Sequence, residues 1–553
     1  MKKKIIVIGG VAGGASFAAR ARRVSEDSEI IMLDRGPYVS FANCGLPYYV
    51  GKVITDESQL LVATPELFKQ RFNIEVRLRN EVLKINRIEK TVEVRDLESG
   101  RVYSESYDAL VLAPGAAPIR PPLPGIDLEG IFALRTIPDS RRILKWISDK
   151  KVKTAAIVGG GFIGLEMAEN LSKEGIQVSI IEMLPQVMPP FDPEMVEPVH
   201  QHLRDKGVTL YLGDAVSKFE QIASGGLVVS TKSGRQIQSE LVILSIGVRP
   251  ETKLAVDAGL KLGERGGIKT DDQMRTSDPN IWAVGDAVEV RDVITGQYTL
   301  IPLAGPANRQ GRVAADSVFG LPSFFRGVQA TAVCGIFDYT VAMTGASEKT
   351  LKRAAIPFEK IYLHPGHHAG YYPDAHPIDI KLLFDPESGR ILGAQAVGEQ
   401  GVEKRIDVIA MAIQKQGTVY DLEEAELSYA PQFGAAKDPV NVAGMIAANS
   451  LRRAAPVMSW DKALESNAFL LDVRTPEEFA AGHVEGAVNI PLNEIRTRSS
   501  ELPLDKSIGV YCQVGQRGYY AVRILCQKGY QAANLTGGYK TFLAINPKLT
   551  AVS

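Results

Sequence analysis

The sequence has few of the residues that bind metals or form disulfide frameworks. Its 553 residues include 4 cysteines and 7 histidines, which form no cluster at zinc-ligand spacing. Basic and acidic residues nearly cancel, at 63 and 64, so no global field favours nucleic acid or an anionic membrane. Apolar runs such as 241–248 fall far short of the roughly 18 residues that a membrane-spanning helix requires. These absences predict a soluble, cytoplasmic protein with no metal site and no nucleic-acid or membrane partner.

A glycine-rich turn in the middle of the chain follows a short apolar run, 155–158, and precedes a helical pattern. It contains Gly159, Gly161 and Gly164, and a second apolar run ends at Glu182. In a βαβ fold of this kind, free N–H groups at the helix start hold a pyrophosphate, and the acidic residue accepts hydrogen bonds from ribose hydroxyls. Because a carboxylate repels a 2'-phosphate, we expect this site to prefer NADH over NADPH.

The N-terminal turn has the same order of elements but varies the glycine pattern. Gly9 and Gly14 match, Val11 takes the central position, and a second apolar run ends at Asp34, 25 positions after Gly9. The pyrophosphate approach must therefore tolerate a side chain. Asp34 and the distant Gly285–Asp286 resemble the two acidic contacts that flavoprotein reductases make to the adenosine ribose and the ribitol of FAD. This turn is predicted to bind FAD.

One cysteine, Cys44, lies in the segment Ser40–Gly45 with no second cysteine nearby. With the two nucleotide turns, this segment resembles the pyridine-nucleotide disulfide oxidoreductases, specifically their single-cysteine branch of NADH oxidases, NADH peroxidases and coenzyme A disulfide reductases. The resemblance implies an FAD domain interrupted by an NADH domain and followed by a dimerisation domain. Oxidases and peroxidases of the branch carry a histidine where this chain has Ala12, which favours the coenzyme A group.

The same resemblance implies further site residues. In the coenzyme A group, tyrosines of the partner subunit reach the active cysteine of a homodimer, and the matching positions are Tyr371 and Tyr429. They would orient the substrate or protonate the leaving sulfur. The neighbouring His367 and His368 are interpreted as structural. The expected coenzyme A contacts are Arg20, Arg23, Ser40, Asn43 and Arg71.

The last hundred residues follow a short basic stretch, 452–456, and resemble a rhodanese. The deciding segment runs from Cys512 to Gly518 and contains Arg517. A cysteine between a strand end and a helix start is surrounded by inward-pointing N–H groups, which stabilise a thiolate or a persulfide anion. Cys512 is predicted to carry sulfane sulfur, with Arg517 fixing the loop or screening the charge. Cys334 and Cys526 are interpreted as core residues.

We therefore expect an α/β chain with two Rossmann-like domains, an α+β dimerisation domain and a C-terminal α/β rhodanese domain. The expected function is NADH-dependent, FAD-dependent reduction of coenzyme A disulfide, coenzyme A persulfide or polysulfide. These three substrates are not ranked by the sequence, because one thiol serves them all. An oxidase or peroxidase, and a rhodanese domain that only docks or senses, remain alternatives. The expected domain bounds are 1–150 and 249–325 for FAD, 151–248 for NADH, 326–450 for dimerisation and 456–553 for the rhodanese.

Overall fold

The structure of the chain, a computed structural model, describes residues 2–222 and 225–546. Their contacts form two compact units. The first contains the residues up to 187 together with 207–328, and the second contains 188–206 together with the residues from 329 onward. Within the described ranges, none of the helices is both long and apolar enough to cross a membrane.

The first unit contains a five-stranded parallel sheet that begins with the N-terminal strand. Ile5 pairs with Ile30 on one side and with Ala109 on the other, so the apolar run 5–8 lies at the centre of the sheet. Such strands are apolar throughout because helices cover both faces. In sheet order the strands are Ile281–Ala283, Ala109–Leu112, Lys4–Ile8, Glu29–Asp34 and Glu75–Leu78. The associated helices are Ala12–Val24, Leu46–Val50, Pro65–Phe72 and Ala304–Val318.

A second parallel sheet in the same unit repeats this pattern. Ala155 pairs with Val178 and with Leu241, which again places the strand before the glycine turn at the centre. In sheet order the strands are Thr209–Leu212, Gln177–Glu182, Thr154–Val158, Leu241–Leu244 and Ile131–Phe132. The helices nearby in sequence are Ile137–Lys150, Phe162–Lys173 and Lys253–Asp257. The two predicted dinucleotide-binding folds are thereby confirmed.

Smaller sheets and short 3-10 helices complete the first unit. The antiparallel sheets are Asn80–Asn86 with Thr91–Asp96 and Val102–Ser106, Val216–Gln221 with Leu227–Thr231 and Gln236–Ser239, and Ala116–Pro118 with Val248–Pro250. A mixed sheet joins Ile268–Lys269, Val288–Arg291 and Tyr298–Thr299. The 3-10 helices are Asn43–Gly45 and Glu57–Leu60.

The second unit begins with the helix Pro193–Asp205, which is followed in this unit by an antiparallel sheet. Neighbouring strands of this sheet are antiparallel, and two of its inner strands, Ile378–Phe384 and Ile391–Gly398, are almost wholly buried. In sheet order the strands are Ala332–Ile336, Tyr339–Gly345, Ile391–Gly398, Ile378–Phe384 and Glu359–Leu363. The helices are Glu348–Arg353, Val402–Gln414, Val419–Glu423 and Pro439–Leu451. This is the predicted α+β arrangement.

The C-terminal part of the second unit has its own parallel sheet. Trp460, Tyr511 and Phe542 form an aromatic core on one side of it. In sheet order the strands are Val457–Met458, Ala532–Leu535, Ile508–Tyr511, Phe469–Asp472 and Val488–Asn489. The helices are Trp460–Glu465, Pro476–Ala480, Ile495–Arg498, Gln516–Gln527 and Gly538–Ile545, with 3-10 helices at Leu492–Glu494 and Ser499–Glu501. The α/β domain predicted behind residue 456 is therefore present.

Candidate active site

The two glycine turns share one backbone geometry. Gly9 and Gly159 have φ of 93° and 108°, in the left-handed region that favours glycine. A Cβ at Gly9 would lie 2.1 Å from the carbonyl oxygen that follows the adjacent strand, and one at Gly159 would lie 2.4 Å from the equivalent oxygen. A Cβ at Gly14 or Gly164 would meet the carbonyl oxygen of the first glycine of its own turn, at 1.9 and 2.1 Å. Both helices can therefore start close to their strands.

The second turn leaves open space at its centre. Gly161 precedes the helix Phe162–Lys173, and a Cβ at Gly161 would meet no heavy atom within 4 Å. The buried carboxylate of Glu182 accepts hydrogen bonds from the amides of Gly160 and Leu184, both at 2.8 Å. Two further lone-pair positions remain for ribose hydroxyls. Open space, a helix start and an acidic acceptor fit a dinucleotide.

The first turn is built in the same way around Val11. This residue precedes the helix Ala12–Val24, as Gly161 precedes its helix, so the side chain of Val11 occupies the equivalent position. Asp34 accepts hydrogen bonds from the amides of Gly10 and Gly36 at 2.9 and 2.8 Å. The donor and acceptor set matches that of the second turn, which fits a second nucleotide with a side chain beside it.

Gly285 and Asp286 follow the strand at the edge of the first sheet. The Gly285 amide donates a hydrogen bond of 2.6 Å to Oε1 of Gln310, which fixes this turn against the helix Ala304–Val318. Burial raises the pKa of Asp286, and burial also raises the pKa of Asp34 against the opposing effect of its N–H donors. Both carboxyl groups are thus half-buried, where a hydroxyl donor is a favourable partner.

Cys44 is the central residue of the 3-10 turn Asn43–Gly45, directly before the helix Leu46–Val50. Its side chain is exposed on one side. Partial burial, and then the negative charges of Glu166 and Asp286, raise the pKa of the Cys44 thiol. The other three cysteines of the sequence belong to the second unit. The first unit therefore offers Cys44 no cysteine partner for a disulfide.

Glu166 and Tyr48 are two residues near Cys44 that the sequence analysis missed. The Tyr48 hydroxyl donates a hydrogen bond of 3.3 Å to Oε1 of Glu166, and burial raises the pKa of Glu166. Glu166 is two positions after Gly164 on the second nucleotide helix, and Tyr48 is four positions after Cys44. Each residue could have been noticed because it lies close in sequence to a recognised motif. Their contact with each other could not be predicted in this way, because 118 residues separate them.

Tyr371 and Tyr429 are 58 residues apart in sequence and in direct contact in the structure. Their hydroxyl groups are 2.6 Å apart and both side chains are exposed. The hydrogen bond to Tyr371 raises the pKa of Tyr429. His367 and His368 are buried close by, where each ring contacts backbone oxygen. The structure therefore presents the tyrosine pair, and not the histidines, to the surface.

The residues predicted to contact coenzyme A lie on neighbouring elements of the first unit. Arg22, which is buried, donates from Nε to the carbonyl of Phe72 at 2.7 Å and from Nη2 to that of Asn73 at 3.0 Å. These bonds hold the helix Ala12–Val24 beside the helix Pro65–Phe72. Arg23 on the first helix and Arg71 on the second are exposed.

The other three coenzyme A candidates differ in how free they are. Arg20 donates from Nε to Oδ1 of Asp316 at 2.7 Å, so its charge already has a partner. Ser40 has a left-handed backbone, φ 46°, and its carbonyl accepts the Val62 amide at 2.9 Å. Asn43 is exposed beside Cys44. Arg20 is thus the candidate least available to an anionic ligand.

Cys512 lies between the strand Ile508–Tyr511 and the helix Gln516–Gln527. Its side chain is buried, and the amide of Gly515 donates to Sγ at 3.2 Å. Gly515 has φ of 98°, which turns the loop into the helix. The backbone amide of Tyr539 donates to the Cys512 carbonyl at 2.8 Å. One amide of the loop, that of Gly515, therefore contacts the sulfur, and the predicted N–H surroundings for a sulfur anion remain a prediction.

Arg517 does not face this loop as an unpaired cation. Its Nη1 and Nη2 donate to the two carboxylate oxygens of Glu478, both at 2.7 Å. This pairing lowers the pKa of Glu478 to about 2 and raises the pKa of Arg517, to which the Cys512 sulfur also contributes. The pair with Glu478 is compatible with the predicted role in fixing the loop, and the interaction with the Cys512 sulfur is compatible with the predicted role in screening its charge.

A cluster of acidic residues in the second unit has the spacing of a metal site. Asp192, Glu194 and Glu348 bring carboxylate oxygens within 4.8 Å of one another. The ammonium of the fully buried Lys381 donates to all three, at 2.8, 2.5 and 2.9 Å. The lysine supplies the positive charge that a metal ion would bring, so the donor set fits a buried ion network.

The comparison with known proteins identifies the family of the chain. A family model described as pyridine nucleotide-disulphide oxidoreductase matches residues 3–311. The chain belongs to this family. The dimerisation domain of the same family matches residues 331–438, and a rhodanese-like domain matches residues 459–545. The resemblance inferred from sequence is confirmed, and membership implies FAD and NAD(H) as cofactors.

Relatives with similar sequences include proteins named NADH oxidase and proteins named coenzyme A disulfide reductase. A NADH oxidase of Methanocaldococcus jannaschii is 36% identical over 80% of this chain and 97% of its own length, and a coenzyme A disulfide reductase of Staphylococcus haemolyticus is 34% identical over 80% and 98%. Two solved structures also include the C-terminal domain. Reduced CoADR-RHD of Bacillus anthracis is 50% identical over 99% of each chain, with a TM-score of 0.97. A NAD-dependent persulfide reductase of A. fulgidus is 36% identical over 98% and 100%, with a TM-score of 0.90.

Proposed function

We propose that this oxidoreductase uses NADH to reduce disulfide, persulfide or polysulfide sulfur carried by a coenzyme A type thiol. The observation that carries the proposal is the exposed Cys44, which has no cysteine partner in its unit. A disulfide at Cys44 then needs a thiol from outside this unit, and an external thiol is the partner proposed here. The relatives named coenzyme A disulfide reductase and persulfide reductase support this choice.

Two groups of residues would hold the cofactors. When bound, NADH would supply the two electrons that reduction of an S–S bond requires, and FAD would relay them. The residues proposed for FAD are Gly9, Gly14, Asp34, Gly285 and Asp286. Those proposed for NADH are Gly159, Gly161, Gly164 and Glu182. The negative charge of Glu182 supports NADH as the preferred nucleotide.

The reaction at Cys44 needs a proton for the thiolate that leaves. In the proposed homodimer, the paired hydroxyls of Tyr371 and Tyr429 from one protomer serve Cys44 of its partner, and they orient the substrate or protonate its sulfur. Exposure of both hydroxyls in the single chain supports this role. The proposed coenzyme A contacts remain Arg20, Arg23, Ser40, Asn43 and Arg71, with the domain bounds given above.

The rhodanese domain would carry sulfane sulfur on Cys512. The amide contact to Sγ and the helix start support a bound anion there. A domain that only docks or senses is the competing interpretation. For the flavin-binding half, the relative named NADH oxidase favours oxygen reduction as a second candidate activity.

The proposal is tested by intact mass and by NADH consumption. We expect the purified protein to carry a reductant-labile adduct of coenzyme A size, and we expect Cys44→Ser to lose both the adduct and nearly all disulfide and persulfide reduction. Retained flavin absorbance serves as the control for folding. Full turnover in Cys44→Ser would remove Cys44 from the mechanism. An adduct-free Cys44 that forms sulfenic acid and turns over peroxide would favour the oxidase group.

A further inference from the structure

The loop around Cys512 contains one charged residue, Arg517, between Cys512 and Gly518. The other non-glycine residues of the loop are uncharged: Gln513, Val514 and Gln516. Val514 and Gln516 are exposed. The net charge of this loop therefore depends on whether a carboxylate neutralises Arg517.

Glu478 neutralises Arg517 through two parallel hydrogen bonds of 2.7 Å. Each side chain of the pair is one-third exposed. Glu478 is held in position because its carboxylate also accepts the Thr475 amide at 2.9 Å, in a capping box at the start of the helix Pro476–Ala480. A bidentate pair fixed at both ends leaves little net positive charge for a ligand.

Among the residues that the structure describes, Arg474 and Lys540 also contact the loop, and both have carboxylate partners. Arg474 contacts Oε1 of Gln513 at 3.3 Å, but it is buried against Asp472, with a separation of 2.8 Å. Lys540 donates its backbone amide to the Gln513 carbonyl, and its ammonium pairs with Asp379. Each cation found at the loop is thus matched by a carboxylate.

These contacts decide between two kinds of sulfur donor. Thiosulfate is a dianion and its leaving group, sulfite, takes both negative charges, so its approach to a thiolate needs an unpaired cation nearby. A persulfide of a thiol carries at most one charge at its reacting sulfurs. Loop amides and a helix start suffice for one negative charge.

We propose that Glu478 determines donor specificity: by neutralising Arg517, it makes Cys512 take sulfane sulfur from a thiol persulfide and discriminate against thiosulfate. This inference rests on the proposed sulfur transfer at Cys512. In the transfer, the Cys512 thiolate attacks the terminal sulfur of R–S–SH, the donor S–S bond breaks, and Cys512–S–SH and R–S⁻ are formed. An acceptor such as cyanide then removes the terminal sulfur as thiocyanate, which releases the thiolate and a proton.

The test compares Glu478→Gln with Glu477→Gln in the full-length protein. Glutamine at 478 keeps an acceptor for the helix cap but removes the charge that neutralises Arg517. Glu477 is an exposed carboxylate one residue away, so its replacement makes the same change in net charge. Thiocyanate formation is measured with thiosulfate and with 2-mercaptoethanol persulfide as donors, and Cys512→Ser supplies the uncatalysed background.

We expect Glu478→Gln to raise kcat/KM for thiosulfate about tenfold, chiefly through a lower KM, as Coulomb's law gives for one freed charge at ~5 Å from a dianion in a water-like dielectric. The gain should shrink at high salt, and Glu477→Gln should change the value less than twofold. If Glu478→Gln does not fold, Gln516→Arg adds a cation to the same loop and should act in the same direction.

Three results would overturn the inference. Equal use of both donors by the wild-type protein would show no discrimination. Equal losses with both donors in Glu478→Gln would make Glu478 only a support for Arg517. An unchanged thiosulfate rate in both Glu478→Gln and Gln516→Arg would separate donor choice from charge. By contrast, wild-type protein that transfers sulfur from neither donor would refute the proposed rhodanese activity itself.

Discussion

Replacement of Lys381 by methionine is the sharpest test of the buried ion network in the second unit. Lys381 is fully buried, and its ammonium donates to Asp192, Glu194 and Glu348 at 2.5 to 2.9 Å. Burial alone would lower the pKa of Lys381, but the surrounding acidic groups raise it well above the ordinary value. Methionine keeps the stem and removes the charge, so three carboxylates lose their shared cation.

The expected cost is large because the remaining charges stay buried. Removal of one partner from a buried ion pair costs about 3–5 kcal/mol, and at roughly 2–4 °C per kcal/mol for a unit of this size the midpoint should fall by about 10 °C. The matched control is Lys352→Met, since Lys352 is 66% exposed and contacts Glu348 at 2.7 Å. An exposed pair of that kind contributes about 0–1 kcal/mol. Calorimetry of both variants gives the comparison.

The same cluster predicts the pH dependence of this difference. Burial would raise the pKa of Glu348, but the charge of Lys381 and the hydrogen bonds from Lys352 and Lys381 hold it well below its usual range. A lowered folded-state pKa gives stability that is present above the unfolded value and is lost as pH falls. The difference in unfolding midpoint between wild-type protein and Lys381→Met should therefore be largest near neutral pH and should decrease below about pH 4. A midpoint shift in Lys381→Met no larger than in Lys352→Met would refute the reasoning.

Two further predictions concern the proposed active site. Tyr371→Phe and Tyr429→Phe should each slow coenzyme A disulfide reduction about tenfold. The double variant should be little slower than either single variant, because hydroxyls 2.6 Å apart act as a unit. A loss of steady-state rate in the double variant equal to the product of the two single losses would show that the tyrosines have separate roles. Glu182→Gln should raise the NADPH to NADH ratio of kcat/KM about tenfold by removing the charge that repels a 2'-phosphate, and an unchanged ratio would show that Glu182 does not select the nucleotide.

Local sequence patterns were sufficient to predict the nucleotide-binding folds. At Gly9 and Gly159 the backbone needs a positive φ and close approach to a neighbouring strand. Glycine meets both needs, so the spacing of these glycines can be recognised in the local sequence although the strand they approach is distant in the chain. The Cys512 loop was also predictable from local sequence, because a cysteine directly after an apolar strand and before a helical pattern indicates such a loop. The roles of individual site residues remain predictions.

Long-range pairings were not accessible in this way. Lys381 lies 189 residues from Asp192 and 33 from Glu348, and each looks like an ordinary charged residue in its own segment. The helix Pro193–Asp205 belongs to the second unit, although its sequence lies within the expected NADH-binding range, 151–248. Tyr371 and Tyr429 were singled out only through resemblance to a family, and their contact with each other was not predicted.

The two cysteines proposed to react, Cys44 and Cys512, lie in different local surroundings, which favour different chemistry at each sulfur. Burial and the charges of Glu166 and Asp286 disfavour a thiolate at Cys44. In a mixed disulfide, the sulfur with the lower thiol pKa leaves faster, so the raised pKa of Cys44 favours departure of the external thiol over departure of Cys44. At Cys512, the Gly515 amide donates to Sγ directly before a helix start, a geometry suited to a sulfur that itself attacks a persulfide. One cysteine is thus suited to hold a neutral disulfide, and the other to carry a charged sulfur.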